Sequence, residues 1–248
     1  MSREPIRQPS AFPWDEHEID LRVREAVRQM WGVRAAQAAK QAASGKRDAG
    51  SRGTATGGRH LDAFADLLAE LARTAGFQPT EIRFRRGVEV PGFYRPTKQW
   101  DLVVIREDRL CAAVELKSMA GSYGKNLNNR SEEALGSATD IWAAFKQGTL
   151  GVHQPWLGYL FVIREEAASE AAVKVPRTPL PTDPVFERTS YIQRYGILCE
   201  RMVLERLYSA AAYLAAPLGT DGQYVQPRTG LEFFSFAKSF YGHLVGCA

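Results

Sequence analysis

The segment from Arg95 to Lys117 limits what this 248-residue chain can fold into more than any other stretch. Trp100 to Ile105 is apolar and β-branched, as a buried strand is. Arg106-Glu107-Asp108-Arg109 is a turn cluster, and Leu110 to Leu116 is apolar again. Two strands with so short a connection predict an antiparallel hairpin. Side chains alternate along a strand, so Glu115 and Lys117 share one face. A turn centred on Asp108 sets Asp101 directly opposite Glu115. Two carboxylates and an ammonium then meet on an otherwise apolar hairpin.

Two carboxylates, joined by phosphate and water oxygens, suit Mg²⁺, a hard cation that keeps several of its waters. A lysine beside them can orient or acidify a metal-bound water and stabilise charge developing on a phosphate. Asp…Glu-x-Lys is the pattern of a large class of metal-dependent nucleases. Asp101, Glu115 and Lys117 are therefore the candidate catalytic residues, and Asp101 and Glu115 the candidate Mg²⁺ ligands. The tripeptide alone says nothing, because eight lysines and 28 acids in 248 positions give about one acid-x-Lys by chance. Its weight comes from the strand and from the opposing Asp101. A surface ion pair on an edge strand is the competing reading of the hairpin alone.

The net charge of +4 is unevenly spread. Residues 44–60 carry +3, residues 82–98 +4 and residues 117–130 +3, which leaves −6 for the rest of the chain. Positive charge is thus grouped around the hairpin, as a polyanion-binding face requires, although a solvated loop explains each stretch taken singly. No apolar run reaches membrane-spanning length, and no signal peptide is evident. Cys111, Cys199 and Cys247 form no Cys-x-x-Cys motif, so a cytoplasmic setting is expected. His17, His60, His153 and His243 show neither a His-x-Lys pair nor metal-ligand spacing, which leaves phospholipase-D-type and zinc hydrolase chemistry without support.

Residues 1–15 read as a flexible arm, and 16–248 as one domain with recognition elements in its loops. A helix is predicted from about Glu16 to Ala43, with Ile19, Val23, Ala26/Val27 and Met30/Trp31 inward. Residues 44–60 form a Gly-rich basic loop whose Arg52, Arg59 and His60 are candidate DNA contacts. Leu61 to Ala75 is predicted helical and ends at Gly76; on it, Glu70 is a candidate accessory acid. Thr80 to Arg86 reads as a strand, and Pro91-Gly92 as a turn. Residues 118–130 read as a loop leaving the catalytic strand, with Ser131 capping a helix to Gln147 that buries Leu135, Ala138, Ile141/Trp142 and Phe145. Asparagine can pair with adenine and arginine with guanine, so Ser118, Lys125, Asn126, Asn128, Asn129 and Arg130 join Arg95 and Lys98 as candidate DNA contacts. Arg130 pinning Glu132 or Glu133 is the alternative. Leu157 to Ile163 reads as a buried strand, the Pro-rich 173–185 as a stiff connection, Tyr195 to Leu214 as a long helix, and 231–241 as an aromatic packing segment.

Several motifs go beyond these local readings: Gln37…Gln41…Gly45…Asp48-Ala49-Gly50-Ser51-Arg52, Thr56-Gly57-Gly58, and Pro91-Gly92-Phe93-Tyr94-Arg95-Pro96-Thr97-Lys98-Gln99-Trp100-Asp101. Glu115-Leu116-Lys117-Ser118, Asn128 through Ala134, Pro155-Trp156-Leu157-Gly158-Tyr159, Ser190-Tyr191 and Arg194-Tyr195 continue the series. Through them the chain, from about residue 30 to 215, resembles the XhoI family of type II restriction endonucleases. The resemblance implies an α/β fold with a restriction-endonuclease-like, PD-(D/E)xK core, in which a central mixed sheet is flanked by helices. It also implies a homodimer, Mg²⁺ dependence, and double-strand cleavage of DNA within CTCGAG. Where the family has Gln after Lys-Ser this chain has Met119, and its 121–130 segment is one residue shorter with Lys125 replacing an Asn. The trio is unaffected, but the difference falls in the expected reading segment. A structure-specific repair or junction nuclease of the same fold, or a DNA-binding module without catalysis, are the alternatives. An intact trio argues against the second, since uncompensated carboxylates repel phosphate.

Overall fold

The hairpin lies at the centre of a five-stranded mixed sheet. The computed structural model describes residues 11–43 and 59–247. Helices α1 (Glu16–Ala43) and α2 (Asp62–Thr74) lead into strand β1 (Ile82–Phe84) and a ribbon of β2 (Glu89–Pro91) and β3 (Thr97–Gln99). Strands β4 (Leu102–Arg106) and β5 (Arg109–Met119) follow, then helix α3 (Tyr123–Lys146), strand β6 (Trp156–Glu165) and the single-turn α4 (Ala167–Glu170). Helix α5 (Tyr191–Leu204), strand β7 (Ala210–Pro217) and helix α6 (Phe233–Cys247) complete the described chain. The sheet order is β1-β4-β5-β6-β7, antiparallel up to β5 and parallel beyond it. Among the described residues no helix is long and apolar enough to cross a membrane.

A bulge sets the register on which the site depends. Glu107 and Asp108, at φ 50° and 57°, form the two-residue turn between β4 and β5, with the left-handed backbone such turns need. Arg106 pairs with Arg109 and Ile105 with Leu110, but Val104 pairs with Ala112. The extra residue, Cys111, shifts everything beyond it by one, so Leu102 meets Val114, and the same register carried one residue past the end of the pairing sets Asp101 toward Glu115. Without it the same turn would set Asp101 against Val114.

Two helical layers cover the sheet. Leu102, Val104, Val114 and Leu116 pack with Phe64, Leu68, Phe236 and Phe240 from α2 and α6, and with Val27 and Met30 of α1. Val103, Ala113, Tyr159 and Phe161 pack on the other face with Ile141, Tyr195 and Met202 from α3 and α5. The inward positions expected on the first helix are all buried, and Gly76 (φ 99°) ends the second.

Several expectations need correction. Tyr195 to Leu214 is not one helix: Ser190 caps α5 through Gln193, the helix ends at Leu204, and the chain turns at Arg206 (φ 56°) into β7. The alanines of β7 have helical propensity, but here their small side chains fit an edge strand sandwiched between α5 and α6. Residues 123–130 are helix rather than loop, because α3 begins eight residues before Ser131. The Ser131 hydroxyl donates back to the Leu127 carbonyl at 2.9 Å instead of capping. That longer helix buries Ala134, Ser137, Ala138, Asp140, Ile141 and Ala144, and leaves Leu135 41% exposed. The strand expected over Thr80 to Arg86 is cut to three residues by the left-handed Arg85 (φ 69°). Within residues 11–15, expected in the arm, Trp14 is buried under Arg22, and Phe12 meets Phe234 and Tyr241 edge-on.

Candidate active site

Strand β5 outruns its neighbour. Pairing with β4 stops at Val114, whereas pairing with β6 continues to Met119. From Glu115 onward one edge of β5 therefore faces no strand among the described residues, and Asp101 fills the first place on it. Its N–H donates to the Val114 carbonyl (3.1 Å), and its Oδ2 accepts the Leu116 N–H (2.6 Å), which a lengthened β4 would otherwise have taken.

Glu115 is buried, with 8% of its side chain exposed. Lys117 bonds one carboxylate oxygen and Lys98, from β3, bonds the other. Lys98 also donates to the Gln99 carbonyl (2.9 Å) and lies 4.2 Å from the Trp100 ring centre. Burial, joined by the Glu115 charge, pushes Asp101 up from the usual carboxylate range to about 6, against the pull of the Leu116 N–H. Burial would push Glu115 up as well, but the two ammoniums outweigh it and hold the acid below its ordinary value. Lys117 is raised, since Glu115 outweighs the desolvation of its ammonium. The site is thus two acids and two lysines, nearly self-neutralised, with one acid poised to protonate just below neutrality.

Two clefts meet at Glu115 and Lys117. One is lined by Arg59, Arg85, Arg86, Asp101 and Leu116, the other by Tyr94, Arg95, Lys98, Arg130 and Asp140. The ribbon tip beside the second is rigidly built. Buried Asp140 accepts the Phe93 and Tyr94 N–H groups at 2.8 Å each and pairs with Arg95 at 2.7 Å. A Cβ on Gly92 would lie 2.7 Å from the same carboxylate, so only glycine fits there.

A carboxylate pair and a lysine at a free strand edge, between arginine-lined clefts, is chemistry that other proteins can be asked about. The model of the family described as restriction endonuclease XhoI matches residues 40–226. The chain belongs to that family. It is 41% identical to the type II restriction enzyme BstVI of Geobacillus stearothermophilus over 211 residues, covering 82% of this chain and 94% of that one. It is 37% identical to the type II restriction enzyme XhoI of Xanthomonas vasicola, covering 77% and 78%. The type II restriction enzyme AbrI of Azospirillum brasilense is 39% identical over 155 residues, covering 61% and 69%. No solved structure matches the chain.

For this member of the XhoI family the structure brings together Asp101, Glu115, Lys117 and Lys98, with Arg95, Arg130 and Arg59 at the cleft walls. Lys98, expected as a DNA contact, is turned inward onto Glu115 and has only 12% of its side chain exposed. Arg130 pairs with Glu133 on its own helix. Lys125, Asn128 and Asn129 are exposed on the first turns of α3, and the Asn126 amide is spent on the Ser122 carbonyl (3.0 Å). Glu70 does not join the site: it pairs with Arg22 at 2.8 Å in a groove between α1 and α2 that contains none of the trio. It sits beside the apolar stripe of α2, so its reach is to α1 rather than to the sheet edge. Arg52 lies outside the described residues.

Reading the sequence missed the role of Lys98, the brace at Asp140, and Arg34. The last left a signal: continuing the buried stripe Val23, Val27, Met30/Trp31 by one turn lands on an arginine.

Proposed function

We propose that the chain cuts both strands of DNA at the palindrome CTCGAG, in the cytoplasm, as a homodimer that uses Mg²⁺. The observation that carries this reading is the convergence of Asp101, Glu115 and Lys117 on the free edge of β5, between arginine-lined clefts. The donor set fits a hard divalent cation. Desolvation first, and the neighbouring Glu115 charge second, raise Asp101; a cation relieves the second, and phosphate and water oxygens complete such a site. Asp101 and Glu115 are the residues to hold it. When bound, Mg²⁺ supplies charge neutralisation at the phosphate and a more acidic water.

The chain's own groups do the rest. Glu115 beside it raises Lys117 above the ordinary lysine value, which favours an ammonium that serves as a cation toward charge developing on the phosphate. Asp101, held by the Leu116 N–H, presents its other oxygen at the open edge. Glu115 gives up an oxygen only if an ammonium withdraws. Arg59, Arg95 and Arg130 line the clefts and are the phosphate or base contacts of this reading; Ser118, His60, Lys125, Asn126, Asn128 and Asn129 are its further candidate contacts. A two-fold protein matches a two-fold site and brings one catalytic centre to each strand. CTCGAG is the palindrome the family resemblance implies, and Met119 and Lys125 mark where this chain departs from the family pattern. Digestion of a plasmid of known sequence with Mg²⁺, followed by sequencing of the fragment ends, tests the whole reading. Ends confined to one palindrome are expected; uncut or randomly cut plasmid would sink it.

A further inference from the structure

Arg34 projects from the second half of α1 to the far end of β5. Its Nη2 donates to the Ser118 hydroxyl at 2.7 Å and lies 3.3 Å from His60 Nε2, which is itself 2.6 Å from that hydroxyl. Its Nε is buried without a hydrogen-bond partner. Among the described residues no carboxylate pairs with it, although arginines elsewhere, such as Arg22, Arg95 and Arg106, each have one. Burial lowers its pKa, as expected where desolvation is not repaid by an anion. A part-buried guanidinium with no carboxylate among the described residues has a desolvation cost that a bound anion would offset. Two side chains hold it in one pose: Ser118 and His60 fix one nitrogen and leave the rest of the fork to another partner.

Position indicates the partner. Ser118 directly follows Lys117, and adjacent strand residues point to opposite faces. Among the described residues the edge of β5 from Glu115 to Met119 faces no strand, so a chain lying across it meets Lys117 on one face and Arg34 on the other. We propose that Arg34, aligned by Ser118 and His60, is the seat for one phosphate of the DNA backbone, flanking the phosphate that lies at Glu115 and Lys117. The inference rests on the DNA-cleavage reading above. It adds a site with its own ligand, a single phosphodiester, and makes Arg34 a positioning residue that registers the duplex across the strand edge.

The test uses the full chain, Ca²⁺ in place of Mg²⁺ so that binding is read without cutting, and CTCGAG and random duplexes. A set of CTCGAG duplexes carries one uncharged methylphosphonate at each phosphate in turn. Arg34→Gln should weaken binding to both sequences about tenfold and lower the salt slope by about one unit per subunit. On the duplex whose methylphosphonate replaces the contacted phosphate, wild type and Arg34→Gln should bind alike, and Arg34→Lys should recover part of the loss elsewhere. A thermal melt establishes that each variant is folded. If folded Arg34→Gln and Arg34→Lys both keep wild-type affinity and slope, the proposal is wrong. A loss that persists whichever phosphate is uncharged would also overturn it, because Arg34 would then only brace Ser118 and His60. Wild type that binds and cuts beside an unaffected Arg34→Gln removes this inference alone. Wild type that neither binds nor cuts removes the DNA-cleavage reading and this inference with it.

Discussion

The two faces of the free end of β5 solve the problem of buried charge in opposite ways. On the α3 side, Asp101 and Glu115 are answered by Lys98 and Lys117, and the cluster is close to neutral without any ligand. On the α1 side, Arg34 is held by Ser118 and His60 and has no acid among the described residues. A compensated cluster can take a cation only by giving up an internal ion pair, so its occupancy is conditional. An uncompensated one is improved by any anion that reaches it. On the proposed reading, the strand edge combines a cation site that has to be opened with an anion site that stands ready. A phosphodiester with its metal needs both.

The largest effect should come from breaking the compensated side. Asp101→Asn and Glu115→Gln each remove a ligand without removing bulk, and cleavage should fall by about a thousandfold or more. Binding in Ca²⁺-free buffer should hold or tighten, since a carboxylate facing phosphate is gone. The two variants should differ in stability. Asp101→Asn relieves a strained buried acid, whereas Glu115→Gln leaves two ammoniums without their acid, which costs roughly 3–5 kcal/mol in comparable buried pairs. Cleavage assays and urea unfolding of both report this. Near wild-type cutting by either would remove the site assignment.

The Asp101 pKa gives the next largest effect. Its metal-free value of about 6 lies above the unfolded value, so the stability it contributes is fully present below the ordinary carboxylate range and is lost as pH rises through about 6. Glu115 runs the other way: its lowered pKa contributes stability above the ordinary range that is lost as pH falls through its folded value. Between pH 5 and 7.5 only Asp101 titrates in this pair, so metal-free wild type should lose stability relative to Asp101→Asn across that window. Divalent-ion affinity should show the mirror image, falling about tenfold per pH unit below about pH 6. Flat profiles in both measurements would mean that Asp101 is ionised throughout.

The compensated side was largely legible in the sequence and the uncompensated side was not. A short turn, two apolar runs and a two-residue spacing were enough to place Asp101, Glu115 and Lys117, because alternation on a strand is a local rule. Even there the register came out by compensation: a turn assumed to centre on Asp108 reproduced what a tighter turn plus the Cys111 bulge achieves. Lys98 was invisible as a Glu115 partner because the β2–β3 ribbon folds it back through tertiary contact. Arg34 and Ser118 are 84 positions apart, and no local rule relates them. The misread β7 and the early start of α3 share a cause: alanine, asparagine and serine have weak or context-bound preferences, and the layers around them decided.

The smallest predicted effect tests whether the compensation really competes with the cation. Lys98 bonds the Glu115 oxygen that Lys117 does not, and it is further held by the Gln99 carbonyl and the Trp100 ring. If ammonium and cation contend for that oxygen, Lys98→Met should tighten Ca²⁺ or Mn²⁺ binding in the absence of DNA. Two unit charges about 4 Å apart at an effective dielectric of about 20 interact by about 4 kcal/mol, which bounds the gain. Lost orientation of Glu115 offsets part of it, so about tenfold, or roughly 1.4 kcal/mol, is the expected gain. Methionine keeps the stem that packs on Trp100, so the ribbon should stay in place. Calorimetric titration of the metal into both proteins at pH 7.5, where Asp101 is ionised, isolates the competition from protonation. Unchanged or weaker metal binding by a folded Lys98→Met would show that Lys98 orients Glu115 for the cation instead of barring it. The contrast between the two faces of β5 would then reduce to the missing acid beside Arg34.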